Sequence, residues 1–113
     1  MIKLAEELAY KDFKKLDIRI GTVESCEKVE GSDKLYRLMV DCGEEEHRQI
    51  LSSLVDWYNA EELMGKVIPV LVNLKPAKIF GQMSYGMLLA AEIGEECVLL
   101  TTDRDIENGA RIT

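Results

Sequence analysis

The spacing of apolar residues changes along the chain, and each change predicts an element. Leu4 and Leu8 lie four residues apart among good helix formers, which predicts a short helix over residues 3–9. One or two turns are marginal alone, so such a helix must dock on the body or on a second subunit. Asp12-Phe-Lys-Lys-Leu-Asp17 reads as an Asp-capped helical turn that leads into a strand. In Ile18-Arg-Ile-Gly-Thr-Val23, Ile18 and Ile20 share a strand face and Val23 falls on the other. The slip at Gly21 predicts a bulge or a sharp bend.

Strict alternation follows the turn Gly31-Ser-Asp-Lys34. Tyr36, Leu38, Val40 and Cys42 take one face, with Arg37 and Asp41 on the other. Cys42-Gly-Glu-Glu-Glu closes a hairpin into a third strand, His47–Ser52. Trp57-Tyr58 is placed to seal a barrel end, and Glu61-Glu-Leu-Met-Gly65 reads as a short helix with a glycine stop. Val67–Asn73 is a continuous apolar strand. Its Pro69 cannot donate to a ladder and so belongs at an edge or a bulge. Tyr85–Ala91 is a fifth strand, and Cys97-Val-Leu-Leu-Thr with a turn-rich tail completes the chain. Five strands with a short helix between the third and fourth is the element order of an OB-fold barrel. The prediction is an all-β, five-stranded OB-fold barrel with short helices, an N-terminal helix and a C-terminal extension. All 113 residues form one domain: residues 1–11 the helix, 12–92 the barrel and 93–113 an extension suited to dimerisation.

Composition narrows the function. The chain is 47% hydrophobic and 31% charged, with a formal charge of -7. No apolar run is long enough to span a membrane, and acids occupy the N-terminus where a signal peptide would be apolar. Three scattered cysteines, Cys26, Cys42 and Cys97, read as reduced core thiols, which predicts a cytoplasmic protein. The charge argues against bulk polyanion binding, so any nucleic-acid contact must be local and shaped. One stretch stands apart. Met64–Ala91 holds no carboxylate but carries Lys66, Lys75 and Lys78.

Catalytic chemistry is missing. His47 is the only histidine and follows three glutamates, which places it on the surface. There is no phosphate loop, nucleophile elbow or His/Cys ligand set, so the reading is non-catalytic, with no metal and no cofactor. Binding chemistry is present between Asn73 and Met87, read as a loop of about ten residues between two strands. Lys75-Pro76 fixes an extended start, and Gly81 and Gly86 admit close backbone approach. Lys75 and Lys78 can neutralise phosphates, while Asn73 and Ser84 can donate to phosphate or ribose oxygens. A lysine-bearing loop that is merely solvated would look the same. Tyr36, Tyr85 and Phe80 could stack on bases or be packed.

At these residues the chain resembles the tRNA-binding domain family. That family includes the C-terminal extension of bacterial methionyl-tRNA synthetases and stand-alone dimeric tRNA-binding proteins. The matches run through Asp12-Phe-x-Lys-Leu-Asp-Ile-Arg-Ile-Gly-x-Val23, Ser32-Asp-Lys-Leu-Tyr36, Val40-Asp-x-Gly43, Arg48-Gln-Ile-Leu-Ser52 and Tyr58-x-x-Glu-Glu-Leu-x-Gly-Lys66. They end in Asn73-Leu-Lys-Pro-x-Lys-x-x-Gly-x-x-Ser-x-Gly-Met87. The resemblance implies an OB-fold that grips tRNA by shape at its bent outer corner. It maps ligand-facing positions to Asn73, Lys75, Lys78, Ser84 and Met87, and more weakly to Lys34 and Arg48. It implies a homodimer and a role beside methionyl-tRNA synthetase; a dimeric peptide-binding chaperone of an export-related branch is the alternative. The chain departs from the family's pattern at Val29-Glu30, Ser32, Ser53 and Pro69.

Overall fold

A computed structural model describes residues 1–113. Five antiparallel strands, in the order β3-β2-β1-β4-β7, form a nearly closed barrel: β1 Ile18–Lys28, β2 Tyr36–Asp41, β3 Arg48–Ser52, β4 Val67–Leu71 and β7 Met87–Leu88. The alternation along β2 holds: Tyr36, Leu38, Val40 and Cys42 are buried, with Ile50, Ile68, Val70 and Leu63 packed beside them. Helix α2, Ala60–Leu63, carries a complete capping box. The Asn59 side chain accepts from the Glu62 amide, and the Glu62 carboxylate accepts from the Asn59 amide. It buries Leu63 and stops at Gly65, whose φ is 80°. Tyr58 seals this end, as predicted. Its carbonyl accepts from the Tyr36 hydroxyl at 2.7 Å, and its own hydroxyl accepts from the Leu99 amide at 3.1 Å. Trp57 stays exposed and donates to the Glu95 carbonyl.

The predicted slip in β1 resolves into two features. Gly21 is buried beside Ile20, where a Cβ would stand 2.8 Å from Val40 Cγ1 and 3.0 Å from Cys42 Sγ, so the close packing there needs glycine. The bulge itself lies further on, between Val23 and Ser25, and turns Glu24 outward. Pro69 lies within β4 opposite Ile20 rather than at its edge. The Val72 amide bonds to Asp17 and the Val23 amide to Lys66, which sets the ladder's parity. By that parity the missing Pro69 N–H falls on a non-bonded pair, and the ladder with β1 loses nothing.

Three expectations are corrected. Residues 3–9 form no helix and lie exposed. The only helical turn near the N-terminus is α1, Tyr10–Phe13, entered from Ala9 with no side-chain cap, so Asp12 sits inside it and not at its cap. Propensity alone cannot hold a helix with no surface to bury Leu4 and Leu8. The predicted loop after Asn73 is a β-hairpin, β5 Ala77–Ile79 and β6 Gln82–Ser84. The predicted fifth strand is broken at Leu89 into β7 and β8, Ala90–Ile93, and β8 pairs with β9, Glu96–Leu99. The tail is no loose appendage. The Gly109 and Ile112 amides donate to the Ile20 and Ile18 carbonyls, and the Ile20 amide donates to the Ala110 carbonyl.

All three cysteines are free; Cys42 and Cys97 are buried and Cys26 half-buried. Burial pushes the Cys26 and Cys42 thiols up to about 11, with Glu27 and Glu44 respectively adding to the effect. Burial also raises Cys97. Thiolates are the reactive form. Ellman's reagent at pH 8 is therefore expected to label the native chain far more slowly than free cysteine, and to reach three equivalents only after denaturation. Rapid native labelling would show that the barrel opens readily.

Candidate nucleic-acid interface

The hairpin β5–β6 lies along the free edge of β3. The Tyr85 amide donates to the Gln49 carbonyl at 2.9 Å, and the Gln49 side chain donates to the Met83 carbonyl at 2.8 Å. Unpaired strand-edge groups are thereby covered. Positive φ at both central residues, Phe80 (51°) and Gly81 (82°), makes a two-residue type I′ turn whose twist suits a hairpin. Phe80 is the only non-glycine residue with positive φ, and the residue is 57% exposed. A Cβ on Gly31 would stand 3.3 Å from its ring, so the hairpin tip rests against the β1–β2 loop that carries Lys34. Ser32 shapes this loop by accepting from the Lys34 and Leu35 amides.

The residues singled out in the sequence divide into two groups. Lys34, Lys75 and Lys78 are exposed and take part in no ion pair. Met87, Tyr85 and Leu74 are exposed as well. The other group faces inward or is already bonded. The Asn73 side chain accepts from the Asp17 amide at 2.9 Å and donates to the Lys15 carbonyl at 2.7 Å, clasping the approach to β1. Ser84 is buried; its hydroxyl accepts from the Leu51 amide at 3.0 Å and lies 3.4 Å from the Gly86 carbonyl. Arg48 binds Glu44 through two nitrogens, at 2.6 and 2.9 Å, and donates to the Val72 and Tyr85 carbonyls. The Glu44 hydrogen bond raises the Arg48 pKa further and keeps this guanidinium charged and fixed. Tyr36 is buried and cannot stack on a base.

Acid placement completes the electrostatics. Glu44, Glu45 and Glu46 stand exposed on the β2–β3 turn. The carboxylate-free stretch from Met64 to Ala91 supplies β4, the whole hairpin and β7, so the hairpin itself presents lysines without acids, while Glu44 and Glu46 line the hollow beside Tyr85. Asn73 and Ser84, both engaged by the fold, stand out in the sequence as parts of motifs. Which way their side chains turn depends on partners far away in the chain, at Lys15, Asp17 and Leu51.

Comparison with known proteins agrees with this geometry. Residues 18–111 match the family described as "Putative tRNA binding domain". Methionine–tRNA ligase of Archaeoglobus fulgidus is 51% identical over 107 residues, covering 95% of this chain and 16% of the ligase. The chain thus spans about a sixth of the length of the curated relatives it matches. Among solved structures, a MetRS-related protein from Pyrococcus horikoshii superposes with a TM-score of 0.90 at 35% identity, over 96% of this chain and all of that one. The chaperone CsaA from Bacillus anthracis gives 0.86 at 31% identity, over 96% of this chain and 100% of the other. No helix is long and apolar enough to cross a membrane. A match that runs from the first residue of β1 into the tail, over a barrel superposing on those of such relatives, makes this chain a member of the tRNA-binding domain family.

Proposed function

We propose that the chain binds folded tRNA without catalysis, through the edge formed by the hairpin β5–β6 and the β1–β2 loop. The observation that carries this reading is the hairpin itself: it holds no carboxylate, carries the unpaired Lys78 close after the unpaired Lys75, and sets an exposed, strained aromatic tip against the loop that bears Lys34. Lys34, Lys75 and Lys78 meet phosphates; Phe80, Tyr85 and Met87 supply apolar surface for unstacked bases. Asn73, Ser84 and Arg48 act one step back, by holding the backbone that presents these groups. Structured RNA is read by shape, phosphates and 2′-hydroxyls, so many tRNA species are expected to bind. A gel shift with total tRNA against duplex RNA across a salt series tests the proposal. Binding to tRNA alone supports shape recognition, and no binding at low salt ends the reading.

The acids sharpen selectivity by repelling RNA from the other faces. Glu44 is committed to Arg48, so the clean test neutralises only Glu45 and Glu46. Glu45→Gln with Glu46→Gln is expected to raise duplex binding more than tRNA binding, read by anisotropy on both ligands.

The chain acts as a homodimer and alongside methionyl-tRNA synthetase, raising the local concentration of its tRNA. Support for a dimer comes from Ile2, Leu4, Leu8 and Tyr10, apolar residues left exposed with nothing to pack on. Light scattering of the purified chain and co-purification with the synthetase test these two points. The likeness to CsaA favours a second reading, a peptide-binding chaperone. Suppression of aggregation of an unfolded client, unaffected by excess tRNA, would favour it.

A further inference from the structure

We propose that Glu24, Asp41 and His47 form a binding site for a first-row divalent transition ion such as Zn²⁺ or Co²⁺. Their ligand atoms all lie within 4.8 Å of one another, although the residues are scattered in sequence and on three different strands or strand entries. The fold brings them together in two ways. Asp41 is the outward residue at the end of β2, and the β2–β3 register (Val40 opposite Arg48) sets His47 directly across from it on the same face. Glu24 is the extra residue of the β1 bulge between Val23 and Ser25, and the bulge turns it onto that face.

The ligand chemistry is specific. One imidazole and two carboxylates suit Zn²⁺, Co²⁺ or Ni²⁺ and leave open positions for water, whereas Mg²⁺ and Ca²⁺ prefer oxygen alone. Bonds of about 2.1 Å to a tetrahedral ion need donor atoms about 3.4 Å apart, so a small rotamer closure completes the site. The side chains are free to make it. Glu24 and His47 are exposed and have no hydrogen-bond or ion-pair partner in the structure. Asp41 uses Oδ1 to accept from the Gly43 amide at 2.9 Å, which orients the carboxylate and leaves Oδ2 for the ion. The neighbouring Glu45 and Glu46 raise the local cation concentration. A bound ion would tie the β1 bulge to β2 and the start of β3.

Calorimetric titration of the whole chain with Zn²⁺, and visible spectroscopy with Co²⁺, test the site. One equivalent is expected to bind with a raised thermal midpoint, as for any ligand that prefers the folded state. His47→Ala and Glu24→Gln should each weaken binding about tenfold or more, with circular dichroism unchanged because both residues are exposed. An independent readout is the imidazole itself. His47 is the only histidine, so its ring proton resonances are unambiguous and should broaden selectively with substoichiometric Co²⁺. Wild-type affinity in His47→Ala, a thiolate-to-cobalt charge-transfer band, or ring resonances untouched by Co²⁺ would each overturn the proposal.

Discussion

Replacing Lys75 and Lys78 together by glutamate is expected to weaken tRNA binding about 10- to 100-fold at moderate salt, with little change in stability. Each reversal removes a phosphate partner and places a like charge against the RNA. Neither lysine has an internal carboxylate to release, so the loss falls on the ligand alone. Surface changes of this kind shift stability by no more than about 0.5 kcal/mol. The slope of log affinity against log salt should fall by about 1.5–2, the share of two phosphate contacts. Lys78→Glu alone should cost several-fold. Fluorescence anisotropy over a salt series measures both quantities, and an unchanged slope would remove the hairpin from the interface.

Gly43→Ala is expected to destabilise the fold by about 2–4 kcal/mol and to loosen the tail. Gly43 has φ 84°, a conformation that costs a residue with a Cβ about 1–2 kcal/mol. A Cβ there would also stand 2.7 Å from the Asn108 carbonyl oxygen and 3.0 Å from Gly109 Cα. Those are backbone atoms, so the tail itself must move. Denaturant midpoints measure the first effect. Hydrogen exchange measures the second: the amides of Ile20, Gly109 and Ile112, which bond across this junction, should lose protection before the amides of β2 do. A loss of stability below about 0.5 kcal/mol would show that the tail is not anchored there.

Much of the barrel can be read from local pattern, because local pattern carries it. The alternation from Tyr36 to Cys42 and the stop at Gly65 need no distant partner to be recognised. Elements decided by distant partners are read less well. The 3–9 segment has helical propensity and nothing to bury its leucines against. The hairpin hides in three-residue strands whose turn, Phe80-Gly81, has only one residue that announces a positive φ. The same limit divides the candidate site. Charge and exposure of Lys75 and Lys78 follow from residue type, whereas Asn73 and Ser84 can serve ligand or backbone equally well. Only the positions of Lys15, Asp17 and Leu51 decide which groups their side chains meet.

Strand β1 has neighbours drawn from opposite ends of the chain. Its second half pairs with β2, which follows within a few residues, but on the same side Ile18 bonds to Ile112, and Ile20 to Gly109 and Ala110. During synthesis the barrel therefore carries an open strand edge until almost the last residue of this segment has emerged. That late, long-range closure is slow relative to the local hairpins. Translation that stalls before Gly109 leaves Ile18–Ile20 paired with β4 on one side and open on the other, an edge able to capture the same segment of a neighbouring nascent chain.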